Sequence, residues 1–455
     1  MTLREDDAVT NPSVAEPSPD GPRILVENGE YWLLNMGDLA MLDVTIRRLR
    51  ARWPRARVGV LTETPALLGA YFPGVDPIVP WGRSAWSPAG PLVRLSQAAA
   101  PRIVGPYDVT RLRVGAWMRG TGRRAERLLR RGRPAPAGGE GRPLDPVGQA
   151  SAGPAPNTAA ALASSSLVVA LGGGYLTDVD PGQTTRVLGL LEYASSRGVP
   201  TAMLGQGLGP LENPALMSRA AEVLPRVDVI ALRERRCGPA LLERVGVASS
   251  RVTVTGDDAI ELALAQCPEV LGRDLGVCLR IAGYSPVSTR AREIVTTGLR
   301  LLAQALGAGL TPVIISEFRS EDRRSTLPLV AGSDHARRPL GRFARPQDVA
   351  AQVGRCRVLV TGAYHAAVFA LSQGVPVVAL TSSRYYDDKF LGLAGMFGAG
   401  LELVRLDRDD LAERLTAAIR SAWERAPEER AALLASAEEQ IATSRRTFDR
   451  VCDLV

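Results

Sequence analysis

Few residues of this 455-residue chain have both the type and the setting for chemistry. It contains two histidines, His335 and His365, and a single lysine, Lys389, among 55 basic residues. A composition that puts arginine wherever either cation serves leaves a lysine where a compact ammonium and a planar guanidinium are not equivalent. His365 follows the apolar run 357–360 and opens a helical segment, 364–373, a place where an imidazole can work as general acid or base. A satisfied core histidine is the plainer alternative. Arg280 follows the run 275–279, and its fixed fork suits a bidentate grip on carboxylate or phosphate. Arg233 ends the run 227–232, where a surface ion pair would explain it equally well. Tyr364 directly precedes His365, and Tyr386 stands three residues before Lys389 in the chain.

The other candidates are backbone sites. Asn35, Gly37 and Asp38 lie between an apolar strand and an amphipathic helix, where free N–H groups at the helix start can meet an anion or a sugar. Capping alone would account for Asn35 or Asp38. Gly172, Gly173 and Gly174 follow the run 167–171, and Gly205, Gln206, Gly207, Leu208, Gly209 and Pro210 follow the run 201–204. Ligands of doubly wound sheets bind at such strand ends, and two glycine turns on neighbouring strands suggest one shared face. A tight turn is the minimal explanation of either. Neither is a phosphate-binding GK[ST] loop or a complete GxGxxG fingerprint.

Strand ends converge only if the scaffold is a pair of parallel sheets, and the periodicity supports that. Runs at 23–27, 57–62, 167–171, 201–204, 227–232 and 252–255 read as strands of one set. Runs at 275–279, 311–316, 357–360 and 375–380 form a second, and helical segments such as 184–197, 215–224, 289–306 and 346–353 alternate with them. The expected fold is α/β, two doubly wound Rossmann-like domains facing a cleft. The expected division is a disordered tail over 1–22, a first domain over 23–270 with an insertion at about 82–157, and a second over 271–455 ending in two helices from 407. The stretch 132–156 is poor in large apolar residues and reads as disordered.

Composition narrows the partners. Hydrophobic residues make up 45% of the chain, enough for two cores, yet no apolar run approaches the roughly 20 residues that span a bilayer. The N-terminus has no signal-peptide core, so a cytoplasmic protein, or one peripheral to the inner face of the membrane, is expected. Five scattered cysteines form no CxxC pair, and two distant histidines form no ligand cluster; neither a metal nor another cofactor is expected. The formal charge of +7 is local: residues 102–142 hold eleven arginines against Asp108, Glu126 and Glu140, a net of +8. That argues against nucleic acid as a partner. Arginines interleaved with Leu, Val and Trp suit an anionic membrane surface, and a solvated helix face explains them too.

Taken in order, Asn35-x-Gly37-Asp38, Gly172 to Gly174, Gly205 to Pro210, Arg233, Gly256-Asp257, Leu279-Arg280, His365 with Gly374-x-Pro376, and Tyr386-x-x-Lys389 resemble the motifs of the polysaccharide pyruvyl transferases. The resemblance spans about 24–397 apart from the insertion. It implies a GT-B-like fold, phosphoenolpyruvate as donor, and as acceptor a sugar of a glycan or its precursor, nucleotide- or lipid-linked. With charge logic it puts Arg280 and Lys389 on the donor, His365 as acid or base, and Asp38 with the glycine turns on the acceptor. One position departs: where the family carries Ser-x-Arg-x-His, this chain has Thr361 to His365 with Ala363 in place of the arginine. Arg357 or Arg384 would then have to replace its charge, or the donor differs. The alternatives are a GT-B glycosyltransferase using a nucleotide sugar and a non-catalytic glycan-binding protein of the same fold.

Overall fold

The computed structural model describes residues 21–82, 85–87, 90–130, 153–283 and 285–455. Of the stretches expected to be disordered, 1–20 and 132–152 lie outside the described residues. The strands form two parallel sheets. The first holds β1 (Arg23–Glu27), β2 (Arg57–Leu61), β3 (Asp76–Ile78), β4 (Leu167–Ala170), β5 (Gly173–Leu176), β6 (Thr201–Leu208), β7 (Val229–Leu232) and β8 (Val252–Val254). Its order is β3-β2-β1-β4-β6-β7-β8, with β5 attached to β6. The second, from β9 (Asp274–Cys278), β10 (Leu310–Pro312), β11 (Cys356–Thr361), β12 (Val377–Thr381) and β13 (Leu401–Arg405), runs β10-β9-β11-β12-β13. Helices cover both faces of such sheets, so a central strand such as β4, Leu-Val-Val-Ala, is apolar and buried throughout. The strand order reverses between β1 and β4 and between β9 and β11, which opens a crevice in each sheet at the carboxyl ends.

The glycines after β4 and within β6 serve packing first. β6 continues through Leu208, beyond the expected end at 204, with a register shift between Met203 and Gln206. Gly205 there has φ +58°, and a Cβ on Gly172 would lie 2.2 Å from the Gly205 carbonyl oxygen. Two strand backbones therefore touch where no side chain could fit.

The domains share a core. The helix Tyr364–Ser372 has all nine residues buried, as its apolar character on every side requires, and joins residues of both domains in one cluster that includes Val26, Leu39, Ala259 and Phe369. The chain after β10 leaves its own sheet to meet the first domain: Met36 N donates to Ile315 O at 2.9 Å and Glu317 N to Leu34 O at 2.8 Å. The C-terminal tail is one helix, Leu411–Cys452, where two were expected. Leu415 and Ile419 pack in the second domain, while further along Ser444 Oγ donates to Asp258 Oδ1 at 2.6 Å. Pro427 removes one backbone donor, but the buried residues on either side carry the helix through.

Part of the 82–157 segment is docked rather than loose. Trp86 is buried and its Nε1 donates to Ala161 O at 2.9 Å. The helix Pro101–Arg130 lays Val109 and Leu112 on the first domain, and its buried Asp108 accepts from Leu67 N at 2.8 Å. Gly105 lies under Phe343 of the second domain, where a Cβ would stand 2.4 Å from the ring. Among the described residues no helix is long and apolar enough to cross a membrane.

Candidate active site

A cavity of about 490 Å³ opens between the domains. The loop after β1, the glycines after β4 and Arg233 after β7 line it from one side. Arg280 after β9, Tyr364 and His365 after β11, and the helix Arg384–Phe397 line it from the other. Of the residues singled out in the sequence, Asn35, Asp38, Gly173, Gly174, Arg233, Arg280, Tyr364, His365, Tyr386 and Lys389 come together on its wall. Gly37, Gln206 and Gly207 do not, and each has a packing reason. A Cβ on Gly37 would lie 1.9 Å from His365 Cγ, and one on Gly207 2.5 Å from Arg233 Nε, so both glycines make room for a side chain of the cavity wall. Gln206 is fully buried and its Nε2 donates to the carbonyls of Ala170 at 3.0 Å and Leu171 at 2.8 Å, tying β6 to β4.

His365 is buried, 7% exposed, and faces a carboxylate supplied by the other domain. Its Nε2 lies 3.6 Å from Asp257 Oδ2, an ion-pair distance longer than a good hydrogen bond. Asp257 also lies 3.5 Å from Arg233 Nη1, and the Arg233 guanidinium stacks 4.1 Å from the centre of the Tyr364 ring. Burial holds the imidazole below its ordinary value, with the charges of Arg233 and Lys389 acting in the same direction against the pull of Asp257. Burial alone would raise Asp257, but the adjacent His365 and Arg233 outweigh it and keep the carboxylate ionised. The result is a neutral imidazole beside a fixed anion, a proton acceptor whose protonated form the carboxylate stabilises.

Lys389 and Asp38 are shifted in opposite senses. Burial, then the charges of Arg233 and Arg280, push the Lys389 ammonium well below the usual lysine range. Burial, then Glu30, raise Asp38 well above the usual carboxylate range. The Lys389 Nζ lies 4.0 Å from the centre of the Tyr385 ring and over the backbone of Gly174, where a Cβ would be 2.5 Å away. Tyr385 Oη donates to Gly174 O at 3.0 Å, which pins this edge of the cleft. A cation held half-desolvated among cations is poised for an anionic ligand, whose arrival would restore its charge.

Arg280 presents its guanidinium at the cavity with one edge committed. Nη2 donates to Asp322 Oδ2 at 2.8 Å and Nε to Oδ1, while the same fully buried carboxylate accepts from Ser316 N at 2.6 Å and Ile315 N at 3.1 Å. Asp322→Ala leaves the arginine charge without its carboxylate and two backbone donors without an acceptor. A loss of about 3–5 kcal/mol in stability is expected, to be measured by urea unfolding. Neither arginine considered as a substitute at Ala363 lines the cavity. Arg357 Nε donates to Trp423 O at 2.9 Å with its guanidinium over that indole, and the Arg384 side chain is 92% exposed.

The sequence reading missed residues that loops and the helix Pro181–Ser196 bring to the cleft. Asp257 belonged to a motif, Gly256-Asp257, but nothing in the chain tied it to His365. Glu30, raised to about 7 by burial against the backbone N–H groups of Leu34 and Trp32, and Arg186, whose guanidinium stacks 4.2 Å from the Tyr31 ring, carried no motif. Trp32 and Phe318 meet across the domain boundary with ring centres 5.4 Å apart.

The model of the polysaccharide pyruvyl transferase family matches residues 35–384. No curated protein matches the chain by sequence. Among solved structures, the UDP-GlcNAc 2-epimerase of Neisseria meningitidis, bound to UDP-GlcNAc, is 10% identical with a TM-score of 0.53, covering 95% of this chain and 100% of its own. The UDP-GlcNAc 2-epimerase of Methanocaldococcus jannaschii is 11% identical with a TM-score of 0.52, covering 94% and 99%. The glycotransferase of kitacinnamycin is 11% identical with a TM-score of 0.51, covering 96% and 100%. At these identities the likeness is one of fold, two Rossmann-like domains arranged as in GT-B enzymes.

Proposed function

This chain belongs to the polysaccharide pyruvyl transferase family, and from that premise we propose that it moves a pyruvyl group from phosphoenolpyruvate onto two hydroxyls of one sugar, forming a cyclic ketal. The acceptor sugar would belong to a glycan or glycan precursor. The observation that carries this reading is the gathering in one cleft of Lys389, Arg233 and Arg280 with the His365–Asp257 pair.

In this reading Lys389 and Arg233 hold the donor's phosphate and carboxylate, and Arg280 adds its charge from the Asp322 clamp. His365 takes the proton of the first sugar hydroxyl as that oxygen bonds to the donor's C2, while the methylene carbon gains a proton and becomes a methyl group. Asp38, kept protonated, is the acid available for that step. Phosphate then leaves C2, and the second hydroxyl bonds there and gives up its proton. One diol and one phosphoenolpyruvate yield one ketal and one inorganic phosphate. Asn35 and the backbone at Gly173 and Gly174 orient the sugar. The charge that the family places at Ala363 comes instead from Arg233, across the cleft and stacked on Tyr364.

Titration calorimetry with phosphoenolpyruvate tests the donor. Because the empty site disfavours the Lys389 ammonium, donor binding should take up a proton above the depressed lysine value. Affinity should then fall about tenfold per pH unit on the alkaline side, beginning well below pH 10. Lys389→Ala should bind more weakly and lose that limb; unchanged, pH-independent binding would remove Lys389 from the donor site.

A further inference from the structure

We propose that the helix Pro101–Arg130, together with the short helix Pro91–Ser96 before it, is a docking face for an anionic lipid bilayer. Over 101–114 and at 117 the long helix is apolar on two opposite sides. Pro101, Gly105, Asp108, Val109 and Leu112 face inward. Ile103, Tyr107, Val114 and Trp117 point outward, 71%, 54%, 48% and 69% exposed, and lie roughly opposite the buried stripe at about 100° per residue. Leu92 and Leu95 on the preceding helix extend the exposed apolar surface.

Large apolar side chains are not gathered on one helix side facing water without reason, and a stripe that includes Trp and Tyr is what the headgroup region of a bilayer receives. Charge selects the occupant. Arg102 and Arg113 are exposed around the stripe, whereas Asp108, the acidic residue of 91–117, is turned inward and pairs with Arg111 (Nε to Oδ1, 3.4 Å). The whole 102–142 segment carries a net +8. Basic residues flanking an apolar stripe favour anionic lipid, and the Asp108 hydrogen bond and the contact of Gly105 with Phe343 anchor the helix to both domains. Arg111 Nη2 donates to the carbonyl of Glu63, and Glu63 lines the catalytic cavity, so a bilayer on this face lies beside the cleft. The docking face does not depend on the pyruvyl-transfer reading.

The test is co-sedimentation of the full chain with vesicles of phosphatidylcholine alone and of phosphatidylcholine mixed with phosphatidylglycerol. Binding to the mixed vesicles only is expected, lost when salt rises from 0.1 M to 1 M and the screening length falls from about 10 Å to about 3 Å. Arg102→Gln and Arg113→Gln should each weaken it about fivefold. Ile103→Ser combined with Trp117→Ser should abolish it with little change in the thermal melt, because both side chains are largely exposed. Absence of binding, equal binding to both vesicles, or wild-type binding by the Ile103→Ser/Trp117→Ser protein would overturn the proposal. So would a concentration-dependent dimer, seen by sedimentation without lipid and broken by the same two substitutions, which would assign the face to a second copy of the chain.

Discussion

Replacing His365 with glutamine is expected to lower kcat by about 10²–10⁴-fold, the usual cost of losing a general acid or base. Glutamine is the variant of choice because the ring is buried and packed on Gly37, so His365→Ala would add a cavity to the chemical defect. Asp257→Asn should keep the imidazole in place but withdraw the anion that stabilises its protonated form. Its kcat should fall less, and the acidic limb of the pH profile should move to lower pH. Steady-state kinetics beside a thermal melt read both effects. A folded His365→Gln enzyme with near-normal kcat would make His365 a packing residue.

The second large effect concerns Lys389. Lys389→Arg keeps the charge yet should weaken donor affinity by about 10–100-fold, comparable to losing a charge-assisted hydrogen bond. The reason is space: Nζ sits over Gly174 and against the Tyr385 ring, where a planar guanidinium has neither the room nor the partners. Gly174→Ala should have the same consequence from the other side. The new Cβ would stand 2.5 Å from Nζ, and the flexible end of the lysine can move away, so donor affinity should fall while stability changes by less than about 1 kcal/mol. Titrations of donor and acceptor, each varied separately, should place the defect on the donor. Wild-type donor constants in Lys389→Arg would remove Lys389 from the donor site.

How much of this was legible depends on what holds each element. β1 and the helices Thr289–Leu306 and Pro346–Val353 have the ends their periodicity predicts, because local signals bound each of them, β1 as a strand buried on both faces and the helices as amphipathic segments that bury one. β10 is shorter than the run 311–316, since Ile315 and Glu317 use their backbone groups on the loop of the opposite domain, a tertiary choice no local pattern contains. β13, half-exposed at the edge of its sheet, lacked the apolar run that marks central strands. Ten of the thirteen candidate site residues line the cavity because strand ends of a doubly wound sheet converge whatever their sequence. Gly37 and Gly207 were legible as special positions, but their reason, the space needed by His365 and Arg233, exists only in three dimensions. The pairing of Asp257 with His365 spans the cleft and could not be seen along the chain.

The central claim is tested most directly by incubating the full chain with phosphoenolpyruvate and a panel of nucleotide-linked and lipid-linked sugars, following phosphate, nucleoside diphosphate and the proton spectrum of the product. Acceptor-dependent release of one phosphate per sugar consumed is expected, with a new methyl singlet from a ketal carbon and no nucleoside diphosphate. Release of nucleoside diphosphate with phosphoenolpyruvate left intact would contradict the account.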